Sequence, residues 1–361
     1  SIYMKIYNFS AGPACLPEPV LEAAGKGANN FLNQGMSVLE MSHRSKPVVS
    51  LFDETTTMLK ELLAVPDNYH VLWLQGGAST QFSMIPMNLL QEGGTADYLE
   101  TGSWSSKAIA ECNKIGTANV IGSSKEDKFT YIPKDCEQDM GSSYFHITSN
   151  NTIYGTQYKV YPIVENPVGF LAADMSSDIL SKPIDISEFG LIYAGAQKNM
   201  GPAGVTLVII RDDLVGKNYR ELPTMLDYET HVKKDSMFNT PPVFSVFVVS
   251  ETLKWLKSLG GLDAMAVINE RKAGKLYAEI ERNPLFRSPV YAEDRSLMNV
   301  PFVFNKDGMD DGAFLQFCDE RGLQTLKGHR SVGGFRASIY NAMPEAGVDA
   351  LIEAMREYET V

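Results

Sequence analysis

The sequence has few cysteines and histidines, and acidic residues outnumber basic ones. Its four cysteines, at positions 15, 112, 136 and 318 of 361 residues, show neither CxxC nor metal-finger spacing. This absence predicts reduced thiols in a cytoplasmic protein and no structural metal. The formal net charge of −12 argues against nucleic acid as a partner, because contact with a phosphate backbone requires a basic surface.

Long hydrophobic runs are also missing. No apolar stretch has membrane-spanning length, and the first residues lack the pattern of a signal peptide, so no membrane association is expected. Residues 1–3 precede Met4, and we expect them to lie before the natural start and outside the fold. Neither internal repeats nor low-complexity segments occur, which excludes a repeat architecture.

The chain does contain a regular alternation of apolar strands and amphipathic helices. Between residues 68 and 210 this alternation predicts a mainly parallel sheet covered by helices on both faces. Residues 222–244 look irregular, and a long helix then leads into a smaller α/β unit. The sequence therefore predicts an α/β protein with a large domain at 16–262 and a small domain formed by 1–15 and 263–361.

One lysine lies between two buried strands. Residues 191–194 and 205–210 are apolar, and the small-residue turn that joins them carries Lys198. Burial disfavours a charged amine, so Lys198 is expected to approach the neutral, nucleophilic form that carbonyl chemistry requires. The local sequence leaves open the alternative that Lys198 only extends from a loop into solvent.

An acid at the end of the preceding strand favours the chemical interpretation. Residues 169–174 read as an apolar strand that ends in Asp174. Ligands of open α/β sheets lie at the carboxyl ends of the strands, where Asp174 and Lys198 would meet. Pyridoxal phosphate needs such a pair, since a lysine holds its aldehyde and a carboxylate keeps its ring nitrogen protonated.

Seven segments together resemble the class V aminotransferases, a fold-type I family of pyridoxal phosphate enzymes. They are residues 8–14, 41–45, 76–79, 172–177, 193–202, 239–242 and 334–344, and they follow one order along the chain. The resemblance implies a seven-stranded, mainly parallel sheet, pyridoxal phosphate as cofactor and a homodimer with shared active sites. It also implies ping-pong transfer of an amino group from glutamate to 3-phosphooxypyruvate, in which Lys198 and Asp174 are catalytic. The pyridoxine-route acid 3-hydroxy-2-oxo-4-phosphooxybutanoate is a candidate second substrate.

Further candidate cofactor residues come from the same resemblance. The strand 69–74, its glycine turn and the following helix would offer backbone N–H groups to a phosphate, although a glycine pair before a helix is common. Some family members carry an arginine near Ala78 and Ser79, so this chain departs from them there. Trp104 and Thr152 would otherwise be read as a packed aromatic and a loop residue. The resemblance assigns cofactor contacts to Ala78, Ser79, Trp104, Thr152 and Gln197, and contacts with the neighbouring subunit's cofactor to Asn239 and Thr240.

Two His-Arg pairs and a further arginine are candidate anion ligands. His43 and Arg44 lie in one region, and His329 and Arg330 lie in another. Each pair alone is more often a solvated surface element, but two pairs that converge on one pocket would bind a phosphate or a γ-carboxylate. The resemblance places Arg336 on the substrate α-carboxylate and brings the N-terminal arm, with Ser10, to the active site.

Three other functions remain open from the sequence. A serine–glyoxylate-type transferase of the same class would share the cofactor. A cysteine desulfurase would need a nucleophilic cysteine in the C-terminal half, where Cys318 stands inside a helical pattern. An NAD-binding oxidoreductase would need a GxGxxG turn, which the sequence lacks.

Overall fold

The computed structural model of the protein describes residues 4–217 and 219–361. Residues 1–3 of the predicted small domain lie outside the described part. Over the described residues, none of the helices is both long and apolar enough to cross a membrane.

The helices are α1 Glu18–Asn29, α2 Lys46–Leu63, α3 Gly77–Leu89, α4 Ser103–Ile115, α5 Tyr228–Lys233, α6 Val243–Ser258, α7 Gly261–Arg282, α8 Asp311–Asp319 and α9 Glu345–Tyr358. The strands are β1 Tyr7–Asn8, β2 Tyr69–Leu74, β3 Thr95–Glu100, β4 Thr117–Ser123, β5 Phe145–Thr148, β6 Asn150–Asn151, β7 Thr156–Gln157, β8 Leu171–Asp174, β9 Leu191–Gly195, β10 Thr206–Arg211, β11 Phe286–Arg287, β12 Asn299–Phe304, β13 Leu323–Gln324 and β14 Phe335–Ser338.

A seven-stranded sheet with the order β2-β10-β9-β8-β5-β3-β4 forms the centre of the molecule. The four pairings from β9 to β4 are parallel, whereas β10 is antiparallel to both β2 and β9. The predicted mainly parallel α/β sheet is therefore confirmed. β10 reverses because only a short loop joins it to β9, and a parallel neighbour would need a longer crossover.

Both faces of this sheet are covered, as alternate residues of β10 show. Leu207 and Ile209 belong to a core with α2 and α6, while Val208 and Ile210 belong to a second core with α3 and α4. Successive side chains of a strand point to opposite faces, so a strand that is buried on both sides is apolar throughout. This explains the continuous hydrophobic run of β10.

A separate hydrophobic core lies in the C-terminal part of the chain. It combines the sheet β11-β12-β14 with α8, α9 and the second half of α7. Phe9 of the N-terminal arm packs into the same core, and β1 pairs with β13 in parallel. The domain boundaries at residues 15/16 and 262/263 remain a prediction, since α7 contributes side chains to this core and to the large one.

Residues 222–244 were predicted to be irregular, but part of this stretch is helical. Residues Tyr228–Lys233 form the short helix α5, and the Asp227 side chain caps it by accepting a hydrogen bond from the N–H of Glu229. Tyr228 and His231 are buried beneath it. Burial of these two side chains, which local sequence does not reveal, stabilises a helix too short to be stable alone.

Candidate active site

Asp174 is the last residue of β8 and is buried at the carboxyl edge of the sheet. Its Oδ1 accepts hydrogen bonds from the backbone N–H and the hydroxyl of Ser176, at 2.9 and 2.7 Å. Burial raises the pKa of Asp174, and both the Ser176 bonds and the charge of Lys198 act in the opposite direction. Oδ2 accepts no hydrogen bond from the described residues, so one carboxylate oxygen is left for a ligand.

Two uncharged side chains, Tyr193 and His146, lie on the strands beside β8. Tyr193 pairs with Asp174 in the β8–β9 register, and its hydroxyl lies 2.9 Å from Nε2 of His146. Burial lowers the pKa of His146 to about 3, so this imidazole carries no charge at neutral pH. The second oxygen of Asp174 therefore meets no competing cation from this side.

Lys198 follows β9 in the loop to β10, as the sequence predicts. The residue as a whole is half-buried, and its amine donates a hydrogen bond of 2.8 Å to the hydroxyl of Thr152. Burial lowers the pKa of Lys198 to about 8, with Arg336 acting in the same direction and Asp174 in the opposite one. The alternative of a lysine that merely extends into solvent is wrong, because the amine is held inside the site.

An indole ring lies beside this amine. Trp104, in the first turn of α4, has its ring centroid 5.2 Å from Nζ of Lys198 and 4.5 Å from Nζ of Lys107. The indole N–H is buried and has no hydrogen-bond partner among the described residues. A planar ring placed next to Lys198 could therefore stack on Trp104.

Several cations converge at the mouth of the site. Arg336, on β14, donates to the carbonyl oxygen of Thr152 at 3.3 Å, and burial lowers its pKa. Burial also lowers the pKa of His329, and the charges of Arg336, Arg330 and Lys107 lower it further. The structure thus brings His329, Arg330 and Arg336 into one field of positive charge in an otherwise acidic protein.

The predicted phosphate turn precedes α3. Gly76 and Gly77 have φ angles of 98° and 67°, and no side chain caps the first N–H groups of the helix. Ala78 is half-buried and Ser79 is exposed in the first turn. Uncapped N–H groups at the positive end of a helix dipole are suited to an anion.

Asn239 lies next to this turn. Its side-chain amide donates to Oε1 of Gln75 of the same chain at 2.9 Å, and the neighbouring Thr240 is exposed. The assignment of Asn239 and Thr240 to the neighbouring subunit's cofactor remains a proposal, since the structure describes one chain.

The N-terminal arm covers the lysine. The N–H of Ala14 donates to the carbonyl oxygen of Gln197 at 2.9 Å. A Cβ on Gly12 would lie 3.3 Å from Cγ of Lys198, so the arm backbone touches the lysine stem. Ser10 is half-buried in this arm, and its N–H is bonded to the side chain of Asn8. The expected approach of the arm to the site is therefore confirmed.

Among the described residues, no hydrogen bond joins the side chain of His43 or Arg44 to this cluster. The charges that shift the pKa of His329 come from Arg336, Arg330 and Lys107, and Arg44 is not among them. Arg44 is exposed, whereas His43 is buried, and its Nε2 has no hydrogen-bond partner in the part of the chain that the structure describes.

Two contacting residues escaped the sequence reasoning. Ser176 fixes Asp174, and Lys107 adds a cation beside Trp104. The first could have been found from its i+2 spacing in Asp174-Met175-Ser176, because a serine two residues after an aspartate commonly bonds back to it. The second could have been found from the i+3 spacing of Trp104 and Lys107 on one face of a helix.

The arrangement fits pyridoxal phosphate. The free oxygen of Asp174 suits a protonated ring nitrogen, the Lys198 amine suits the aldehyde, and the α3 N-terminus suits the phosphate. Trp104 and Thr152 border the space between them. Bringing an amine of lowered pKa together with a buried carboxylate allows bond formation to a carbonyl and proton transfer at the adjacent carbon.

Comparison with known proteins agrees with this geometry. The model of the family described as aminotransferase class-V matches residues 6–351. A phosphoserine aminotransferase of Bacillus cereus is 53% identical over 357 residues, which cover 98% of each chain. Another, from Azobacteroides pseudotrichonymphae genomovar. CFP2, is 51% identical over 359 residues, with 99% of each chain covered.

Solved structures give the same result. The phosphoserine aminotransferase from Bacillus circulans subsp. alkalophilus matches with a TM-score of 0.96 at 45% identity, covering 99% of each chain. The pyridoxal phosphate-bound phosphoserine aminotransferase from Trichomonas vaginalis matches with a TM-score of 0.92 at 42% identity, covering 98% of this chain and 100% of that one. These matches confirm the predicted fold over nearly the whole chain.

Proposed function

Since the chain belongs to the class-V aminotransferase family, we propose that it is a phosphoserine aminotransferase. The reaction moves the amino group of glutamate to 3-phosphooxypyruvate and gives O-phosphoserine and 2-oxoglutarate, a step of serine biosynthesis. The observation that carries the proposal is about 50% identity, over full length, with proteins of that name, joined to an intact cluster of Lys198, Asp174 and Thr152.

Bound pyridoxal phosphate supplies an aldehyde that takes up the amino group and a ring that accepts electrons. Lys198 would hold the aldehyde, and its amine, when free, would take a proton from the substrate Cα. Asp174 would keep the ring nitrogen protonated. Thr152 orients the Lys198 amine through the 2.8 Å hydrogen bond.

Substrate recognition follows from the cations around this centre. Arg336 would bind the α-carboxylate that both substrates share. His329 and Arg330 would bind the γ-carboxylate of glutamate or the phosphate of 3-phosphooxypyruvate, because both are anions with several acceptor oxygens. Ser10 and Gln197 would line the same space from the arm and the lysine loop.

The second His-Arg pair supports a homodimer. His43 and Arg44 follow a segment of the chain in which Leu32, Met36 and Leu39 are exposed. Large exposed apolar side chains grouped on one surface commonly mark a protein interface. We infer that this surface packs on a second copy and delivers His43 and Arg44 to its active site.

The competing functions fit less well. Cys318, the cysteine that a desulfurase would require, is buried in α8, and burial raises its pKa to about 12. A thiol in that state is a poor nucleophile. A serine–glyoxylate-type transferase would have no need for the converging cations around His329. A cytoplasmic location agrees with four free cysteines but remains a prediction.

A glutamate-dependent assay of the purified holoenzyme tests the function. We expect turnover with 3-phosphooxypyruvate to exceed that with glyoxylate by at least about a hundredfold in kcat/KM, since glyoxylate lacks an anionic side chain. The Lys198→Ala variant should lose turnover by about a thousandfold or more. Equal or greater activity with glyoxylate would contradict the proposal. Parallel measurement with 3-hydroxy-2-oxo-4-phosphooxybutanoate decides whether the pyridoxine-route acid is also used.

A further inference from the structure

Tyr340 occupies a conformation that its sequence neighbours do not explain. It lies two residues beyond β14, the strand that carries Arg336, and its side chain is fully buried. Its φ angle is 41°, in the left-handed region that a bulky L-residue rarely adopts. Such a residue persists only where the surrounding structure holds it, and such positions are concentrated at functional sites.

A buried lysine holds this turn in place. Nζ of Lys272 donates to the carbonyl oxygens of Tyr340, Asn341 and Met343, at 2.7, 3.2 and 2.9 Å. Lys272 is 1% exposed and comes from α7. Three carbonyls directed at one ammonium group fix the backbone from Tyr340 onward, and the N–H groups of Ile339 and Tyr340 donate to the carbonyl oxygen of Met298 on the preceding side.

The Tyr340 hydroxyl connects the arm to the rest of the site. It donates to the carbonyl oxygen of Ala11 at 2.5 Å and accepts a hydrogen bond of 3.1 Å from the side-chain amide of Asn299. Ala11 precedes Gly12, whose backbone touches the stem of Lys198. The hydroxyl therefore joins the arm over the lysine directly to the C-terminal core.

The same network reaches the turn that follows β8 and Asp174. Asn299 accepts a hydrogen bond of 2.8 Å from the amide of Asn150, and Asn150 donates to the hydroxyl of Ser177 at 2.8 Å. Asn150, Asn299 and Ser177 are all buried. A continuous set of buried hydrogen bonds thus runs from the turn after β8 to the N-terminal arm, with Tyr340 as the last donor.

We propose that Tyr340 is a positioning residue that holds the N-terminal arm against Lys198 and keeps Arg336, four residues earlier, at the substrate α-carboxylate. This inference rests on the proposed function, since it concerns binding of that carboxylate. Both amino-group donors and acceptors carry an α-carboxylate, so loss of the hydroxyl weakens both. The preference between a phosphate and a γ-carboxylate depends on other residues, so loss of the hydroxyl leaves that preference unchanged.

The Tyr340→Phe variant of the holoenzyme tests the proposal, because it removes the hydroxyl and keeps the ring. We expect KM for glutamate and for 3-phosphooxypyruvate to rise together by about tenfold, with kcat within about threefold of the wild type. Amide hydrogen exchange of residues 8–15 should become faster. The Tyr69→Phe variant is the matched control, because its buried hydroxyl also donates to backbone carbonyls, those of Ile186 and Phe189, which lie outside this network.

The possible outcomes separate the explanations. If Tyr340→Phe lowers the melting temperature but leaves arm exchange and both KM values equal to those of Tyr69→Phe, Tyr340 is only structural and the proposal is overturned. A rise in one KM alone would also overturn it. If the wild type does not use 3-phosphooxypyruvate, the proposed function fails, whereas arm exchange still decides whether Tyr340 positions the arm. If Tyr340→Phe folds poorly, Asn299→Ser takes its place, because it removes the amide that donates to the Tyr340 hydroxyl. The KM values for glutamate and 3-phosphooxypyruvate are again expected to rise together.

Discussion

Lys198 must lose its proton before its amine can bond to an aldehyde. Its pKa lies near 8 in the folded protein instead of the ordinary 10.5, because the amine is buried and Arg336 is close. A lowered pKa means that the neutral form dominates above pH 8, whereas an ordinary lysine would still be charged there.

The pH dependence of cofactor uptake should show this. We expect the rate of pyridoxal phosphate uptake by the cofactor-free protein to rise roughly tenfold per pH unit below pH 8 and to level off above it. Stopped-flow absorbance measures the rate, and a small amine measured at the same pH values corrects for ionisation of the cofactor itself. In Arg336→Gln the break should move to higher pH, because a charge that opposes protonation is gone. A wild-type rate that rises without a break to pH 10 would show that Lys198 is an ordinary amine.

The turn before α3 is the element on which phosphate binding depends. Gly76 has a φ angle of 98°, and a Cβ added there would lie 2.2 Å from Oγ1 of Thr80. Any side chain at this position must displace the first turn of the helix, where the free N–H groups point.

We therefore expect Gly76→Ala to weaken pyridoxal phosphate binding by at least about tenfold, since two or more hydrogen bonds to the phosphate would lose their geometry. Titration of the cofactor-free protein measures the dissociation constant. Gly274→Ala, inside α7, is the control because no atom lies within 4 Å of its added Cβ. Its affinity should equal that of the wild type, and its free energy of unfolding should stay the same or rise by up to about 1 kcal/mol. Wild-type affinity in Gly76→Ala would mean that the turn does not hold the phosphate.

At the scale of elements, the sequence predicted the features that depend on neighbouring residues, such as the bounds of a strand. The apolar run 69–74 coincides with β2, because polar and turn-forming residues bound it on both sides. Asp174 could be predicted because it ends a strand, and Lys198 because it follows one. The end of an apolar strand can be recognised from the sequence alone. α5 was missed because its stability depends on burial of Tyr228 and His231. Tyr340 was missed because its partner Ala11 lies 329 residues away, a contact that no local pattern contains.

At the scale of the whole molecule, one chain holds two incomplete sets of anion ligands. Arg336 acts on both Lys198 and His329, and Arg330 acts on His329, whereas Arg44 is not among the charges that shift the pKa of either group. If both sets bind one substrate, the second set must come from another copy of the chain. A two-fold symmetric dimer would then form two equal active sites, each with Lys198 from one subunit and Arg44 from the other.

Mixing two inactive variants tests this arrangement. Lys198→Ala should be inactive because the amine is lost, and Arg44→Ala should lose most of its activity because the side-chain anion is held less tightly. In a hybrid dimer, one site then carries both defects and the other carries none. Refolding the two variants together at equal concentrations should therefore restore roughly a quarter of wild-type activity, since about half of the dimers are hybrids with one intact site each. A mixture of Lys198→Ala with Arg336→Ala is the control and should regain nothing, because Lys198 and Arg336 act in the same chain. If Lys198→Ala and Arg44→Ala also fail to complement each other, although hybrids form, then Arg44 serves its own chain or no active site at all.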